Sequence, residues 1–443
     1  MINKLYFFTA LAKVFSLRYK LKVQLKIYKK EMNQIKTKFC ILWLFSVFFF
    51  AYQFVLRLTP GILIDEIMIK YQISASTFGL IISFYYIGYA GMQIPIGIWL
   101  DKFGIRRVVS AASLICVLGN LPLLFSQHWL MELFGRLLIG MGSAAGALGA
   151  IHAARVGFPH KHMSKMIGFT VTLSLFGAIY GKSINRFLVE NMGAEQSIIY
   201  LSIPGILISL CMLLFLKNTD FQQEAPSQYH SSWKSLKEIL KNQQIIWLAI
   251  AGALMVGPLE SFADVFGEPY LVTVYHFSPR DAGYLTASAI YFGFCVGAPL
   301  LATIADRFNC HYIINIACGI GMTVAFHLML EKVITGYTVM FICAFIIGIM
   351  SSYQVIVIST VADLVPPNLN GVAIAVVNMF NMTAGMGFNA AIGSLLDHYW
   401  TGEIAHGKRI YSDIAYSDAL YILPVTLMFG AIIFFILKPS RSN

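Results

Sequence analysis

Three carboxylates recur at four-residue intervals in the stretch GPLESFADVFGEPY: Glu260, Asp264 and Glu268. On a helix, the spacing i, i+4, i+8 puts all three on one face. Acids so close together repel when all are ionised, so one of them is expected to hold a proton that it can release and recapture. Isolated cations stand in other apolar stretches. Arg57 lies in YQFVLRLTPG, and Arg136 follows Glu132 by four residues. The chemistry on offer is charge pairing and reversible protonation. Arg57 and Arg136 can attract a carboxylate or exchange with the acids, and Glu260 or Asp264 can carry a proton. The competing possibility is static pairing, Arg57 with Asp264 or Glu268 and Arg136 with Glu132 at i, i+4.

Such charges need elements that shelter them. The chain has 443 residues, 58% apolar and 12% charged, with a mean hydropathy of +0.71. A soluble chain of this length carries more charge on its surface. A spanning helix needs roughly 20 mainly apolar residues. Twelve stretches qualify, approximately 39–59, 76–99, 106–126, 129–154, 164–185, 197–216, 245–273, 282–303, 311–330, 337–361, 371–396 and 417–437. The expected class is an all-α membrane protein of twelve transmembrane helices in two pseudo-symmetric six-helix bundles. The expected organisation is a basic tail at 1–38, a bundle at 39–216, a linker at 217–244, a bundle at 245–437 and a tail at 438–443. Within the linker, SSWKSLKEILKN has a serine start and Trp233, Leu236 and Leu240 at helical spacing, which predicts a short surface helix.

The formal net charge of +11 raises nucleic acid or anionic lipid as partners. Its distribution excludes a basic recognition face. Residues 1–38 hold ten Lys and Arg against Glu31 alone, so nine of the eleven net charges lie there. Met32 offers an alternative start, because MNQIKTKFCILWLF is itself a short basic lead into an apolar run. With the N-terminus inside, the inner segments hold 23 Lys and Arg and the outer connections hold 6, which places both termini in the cytoplasm, with a bacterial inner membrane as the expected site. The seven cysteines form no CxxC and are expected to behave as small apolar residues. Neither a metal nor another cofactor is implied.

At bilayer depth a charge marks a functional site by default. Pro258 and Pro269, with Gly257 and Gly267, predict a broken seventh span whose freed backbone groups can meet a ligand. Glu268 is expected near the outer surface in a static pair, Lys182 to reach outward to the headgroups, and His152 and His327 to be hydrogen-bonded within the bundle. Tyr52, Gln53, Tyr85, Tyr86, Tyr89, Gln93, Tyr291, Tyr353, Gln354, Asn378, Asn381 and Asn389 recur on expected inner faces. Such a lining of aromatic and amide groups suits a small zwitterion or peptide better than a large lipophile.

The sequence also repeats. At a constant offset of 205, YIGYAGMQIPIGIWLDKF matches YFGFCVGAPLLATIADRF: Tyr86 meets Tyr291, Gly88 meets Gly293, Asp101 meets Asp306, Lys102 meets Arg307 and Phe103 meets Phe308. By the same offset Arg57 corresponds to Phe262, so Arg57 lies at the depth of the span-seven acids. With Gly97, Asp101, Lys102, Gly104, Arg106 and Arg107, the connection between spans two and three resembles the G-x-x-x-D-R/K-x-G-R/K-R/K signature of the major facilitator superfamily. Arg136, Gly140 and Gly142 are similar to that family's R-x-x-x-G-x-G pattern. The resemblance covers about residues 39–438 and implies two rocking halves with the substrate between them. It also implies that Asp101 and its basic neighbours latch the cytoplasmic gate in the outward-open state. Gly97 is expected to allow close helix approach and Gly104 a tight turn. In the second copy Ala302 and Asn309 replace glycines and His311 stands where a basic pair would, so a weaker latch is expected at Asp306 and Arg307.

The expected function is secondary active transport of a small polar or zwitterionic solute (amino acid, short peptide or organic acid), coupled to protons and carried out by a monomer. Spans four and five are similar to the lysosomal dipeptide-transporter branch, which implies a dipeptide uniporter as an alternative. Export of a drug or siderophore-like metabolite is another, although span five lacks the G-x-x-x-G-P-x-x-G-G pattern of drug antiporters. A membrane enzyme or sensor is remote: no HExxH, G-x-S-x-G, metal-spaced His/Cys set or phosphate-binding glycine loop is present.

Overall fold

The computed structural model describes residues 38–158, 163–215, 233–366, 369–405 and 407–437. The basic tail, most of the linker and the last six residues lie outside these. Among the described residues twelve helices are long and apolar enough to cross a membrane: Lys38–Ile62, Ala75–Phe103, Ile105–Phe125, Trp129–Gly157, Met166–Met192, Ala194–Leu214, Gln243–Tyr275, Pro279–Phe308, His311–Leu330, Tyr337–Asp363, Asn370–His398 and Asp413–Leu437. They are numbered here as spans one to twelve. Each matches an apolar stretch of the sequence. The largest extension is at the end of span five, where the helix runs seven residues past the apolar stretch. Polar residues in the extension are paired: Arg186 faces Glu190 one turn later and Asn191 donates to the Phe187 carbonyl.

Span two packs along span four on one side and along span eleven on the other, so it touches both the first six and the last six helices. The repeat is visible in the packing. A methyl group on Gly88 would collide with the Leu137 carbonyl of span four, and one on Gly293 with the Phe345 carbonyl of span ten. Two equivalent helix crossings thus rest on two equivalent glycines.

Span seven is broken, as its prolines predict. An α-helix over Gln243–Leu254 ends at a turn, a π-helix occupies Pro258–Phe266, and α-helix resumes over Gly267–Tyr275. Span eight carries its own π-helical turn at Tyr284–Ala289. Widened turns of this kind cluster at functional sites. Helix Trp233–Lys241 forms where the linker pattern predicts it. Two connections hold more structure than the sequence suggests. Helix Ile64–Tyr71 follows span one. A two-stranded antiparallel hairpin, Ile404–Ala405 with Lys408–Arg409, joins spans eleven and twelve.

Candidate functional site

Arg57 reaches from span one to two acids of span seven. Its Nε donates to Asp264 Oδ2 at 2.6 Å and its Nη2 pairs with Glu260 Oε2. The planar guanidinium fork suits this arrangement, because one side chain addresses two carboxylates at once. The two carboxylates are buried, Glu260 4% and Asp264 1% exposed, and Arg57 is partly buried. Tyr291 donates to Asp264 Oδ1 at 2.6 Å, and Tyr86 lies 3.5 Å from Asp264 Oδ2 and donates to the Glu260 carbonyl at 2.8 Å. These tyrosines are the pair related by the offset of 205. The internal repeat therefore brings one phenol from each half onto a single carboxylate. Asn389 of span eleven donates to the same Glu260 carbonyl at 3.1 Å. The rings of Phe54 and Tyr86 lie 5.9 and 5.6 Å from the Arg57 guanidinium carbon.

The third acid belongs elsewhere. Glu268 pairs with Arg186 and lies 3.5 Å from Lys182 Nζ, which also donates to Thr286 at 3.2 Å. Static pairing was the expectation for Glu268, but not with these partners. Lys182 does not extend to headgroups. It is 1% exposed, because Glu268 and Thr286 offer it partners inward. The π-helix ends at Phe266, between Asp264 and Glu268, and the two acids meet different cations. Arg186 lies four residues after Lys182, on the same helical face, and that spacing was the available signal for it.

Arg136 does not join the span-seven acids. Its Nε donates to Glu132 Oε1 at 3.0 Å and its Nη1 to the Leu56 carbonyl at 3.2 Å. It thus holds the backbone next to Arg57. Of the expected lining residues, Tyr52 turns to the Leu201 carbonyl at 2.8 Å, Gln53 accepts from Tyr85 at 2.9 Å, and Tyr353 donates to the Gly252 carbonyl at 2.5 Å. The Tyr89 ring lies tilted beside that of Tyr85, and Asn378 is half-buried. Gln93 Nε2, Gln354 Nε2 and Asn381 Oδ1 are buried without a hydrogen-bond partner among the described residues. His327 lies 3.4 Å from the Tyr421 hydroxyl on the outside of the helical bundle.

At the signature end, Asp101 Oδ1 lies 3.9 Å from His152 Nδ1 of span four, and Arg106 donates to the Leu213 carbonyl at 2.6 Å. Lys102 sits over the Phe103 ring, and Arg307 sits over Phe308 in the same way. Gly104 has φ 78°, as a tight turn requires. Gly97 does not mark a close approach, since a Cβ there would meet nothing within 4 Å. In the second copy Asn309 ends span eight in the left-handed region, at φ 48° and ψ 47°, whereas Gly104 has φ 78° and ψ 157°, and His311 Nε2 lies 3.0 Å from Asp306 Oδ1. Asparagine tolerates this left-handed backbone, whereas a β-branched residue does not. Asn309→Val is expected to lower stability by about 1–2 kcal/mol and Asn309→Gly to leave it unchanged. Thermal unfolding in detergent checks both.

A family model described as Major Facilitator Superfamily matches residues 40–390. Among curated proteins, "Multidrug resistance protein 2" of Bacillus subtilis is 24% identical over 326 residues, 72% of this chain and 78% of that protein. The "Uncharacterized transporter YybO" of Bacillus subtilis is 24% identical over 154 residues, 35% of each chain. The chain thus spans about a third of that relative's length in the match. Among solved structures, a bacterial homolog of the human lysosomal transporter Spinster, inward-facing and unoccupied, superposes with a TM-score of 0.66 at 16% identity, covering 90% of this chain and 95% of that one. The nucleoside transporter NupG superposes with a TM-score of 0.68 at 12% identity, covering 90% and 100%.

Proposed function

The chain belongs to the Major Facilitator Superfamily, and from that premise we propose that it is a secondary active transporter of a small polar or zwitterionic solute, an amino acid, short peptide or organic acid, coupled to protons. One observation carries the reading. Two carboxylates, Glu260 and Asp264, share the single guanidinium of Arg57 at the buried junction of spans one and seven. With both acids ionised the cluster has one uncompensated negative charge, which is unfavourable away from water. A proton on Glu260 removes it and leaves Arg57 paired with Asp264.

Proton uptake then removes one of the two ion pairs between spans one and seven, and so weakens the hold between the halves, residues 39–216 and 245–437, at that level while Arg57–Asp264 remains. An incoming carboxylate can take the Arg57 donors released by Glu260, and once the proton leaves, an incoming ammonium can pair with the Glu260 carboxylate. Arg136 acts as a positioning residue through the Leu56 carbonyl. The unpaired amides of Gln93, Gln354 and Asn381 offer further donors and acceptors to a polar solute. Asp101, Lys102, Arg106 and Arg107, with Asp306 and Arg307, form the gate on the cytoplasmic side of a bacterial inner membrane, and the monomer is the working unit.

The test is uptake into proteoliposomes under an imposed inward proton gradient, with a pool of labelled amino acids and dipeptides. Accumulation that a protonophore collapses is the expected result. Equilibration that ignores the gradient overturns the coupling and makes the protein a uniporter. Similarity to a protein named for multidrug resistance supports a second reading, export of a drug-like metabolite, which an absence of uptake across the pool would favour.

A further inference from the structure

At the end of the bundle opposite the signature, the first turn of span two is capped by residues from the last six spans. A helix N-terminus leaves backbone N–H groups without intrahelical partners. Ser74 accepts locally from the Thr77 N–H. The next two donors turn to the other half. The Ala75 N–H donates to the Tyr411 hydroxyl at 2.9 Å and the Ser76 N–H to Asp397 Oδ2 at 2.9 Å. Asp397 ends span eleven, so its carboxylate sits at the positive end of a helix 321 residues away in sequence.

Asp397 is itself held. Tyr411 donates to its Oδ1 at 2.6 Å and Arg409 Nη1 donates to the same oxygen at 3.2 Å. The Arg409 guanidinium lies 4.2 Å from the centre of the Trp400 ring. Its neighbour Lys408 pairs with Asp65, on the short helix after span one. The hairpin therefore carries two adjacent cations, one directed to each half. Burial and the adjacent Asp397 carboxylate push the Tyr411 phenol up from its ordinary range, so it remains a neutral donor. Beneath the hairpin lies a cavity of about 340 Å³, lined by Asp65, Glu66, Lys408, Arg409 and Tyr411 and reaching Arg186 and Glu268.

We propose that the 404–409 hairpin, with Asp397 and Tyr411, is a clasp that holds this end shut by capping span two from the opposite half, and that opening the cavity to this side requires the cap to release. A partner helix that lends its own N–H donors cannot swing away without exposing them. The proposal is independent of the proton role given to Glu260, because its test uses neither a solute nor a gradient.

Gln72, which precedes span two, and Glu403, which precedes the hairpin, are both exposed and belong to different halves. Spin labels at these positions, in full-length protein lacking the seven native cysteines and held in lipid nanodiscs, report their separation. Asp397→Asn and Tyr411→Phe are each expected to raise the population with widely separated labels about tenfold, the shift that loss of a charge-assisted hydrogen bond produces. Lys332→Gln removes a pair with Asp413 within the last six spans and is expected to leave the distances unchanged. Distances unaltered in Asp397→Asn and Tyr411→Phe, or equally altered in Lys332→Gln, overturn the proposal. Should Asp397→Asn fail to fold, Tyr411→Phe, which removes one hydroxyl, decides it.

Discussion

Glu260→Gln abolishes accumulation driven by a proton gradient while solute exchange across the membrane continues: this is the expected result of the most informative single substitution. Glutamine keeps the size of the side chain and still offers an oxygen to Arg57 Nη2. What it removes is the second negative charge, leaving Arg57 and Asp264 as a balanced pair held by Tyr86 and Tyr291. The substituted protein resembles one whose proton is permanently bound, so it can shuttle solute but cannot draw energy from pH. One coupled proton moving across one pH unit supplies about 1.4 kcal/mol, a tenfold accumulation. Under such a gradient the accumulation ratio should fall from about tenfold to unity, with counterflow of labelled against unlabelled solute near the parent rate. Asp264→Asn should behave differently, since Asp264 accepts from Arg57 and Tyr291 together and its loss disturbs the cluster's geometry. Full gradient-driven uptake by Glu260→Gln would move the proton elsewhere.

The outlines of this site are legible in the sequence because a membrane imposes simple rules. Apolar length marks the spans, and the offset of 205 aligns Arg57 with Phe262, hence with Glu260 and Asp264. The partners of each charge are less legible. Periodicity tells which face a residue shares, but not which neighbouring helix supplies its counter-ion. Glu268 shares its spacing with the other two acids and yet meets Lys182 and Arg186, because span five, not span one, crosses at its level. Lys182 reads in sequence as an outward-reaching cation for the same reason: its partners, Glu268 and Thr286, lie on spans seven and eight. Asn309 reads as a departure from the signature, yet like Gly104 it ends its helix with a positive φ. The cap on span two is invisible to local patterning, since its parts come from residues 75 and 411, joined only by tertiary packing.

Arg57→Gln should damage stability as well as transport, and the pattern of rescue separates the two. Removing the guanidinium strands two buried carboxylates, one 4% and the other 1% exposed. Loss of one partner from a buried ionic cluster typically destabilises by about 3–5 kcal/mol, since the remaining charge has neither water nor counter-ion. Arg57→Lys restores the charge but not the fork, so it can address Glu260 or Asp264 and not both, and intermediate stability is expected. Adding Glu260→Gln and Asp264→Asn to Arg57→Gln removes the stranded charges, and thermal unfolding in detergent should return most of the way to the parent value. Uptake should not return, because the triple variant holds neither the cation that would receive a carboxylate nor the acid that would carry a proton. If instead Arg57→Gln is as stable as the parent, the two carboxylates were never dependent on Arg57, and the cluster could not act as a charge-governed bridge between spans one and seven. If the triple variant regains uptake with its stability, the cluster serves packing alone, and the coupling groups lie outside it.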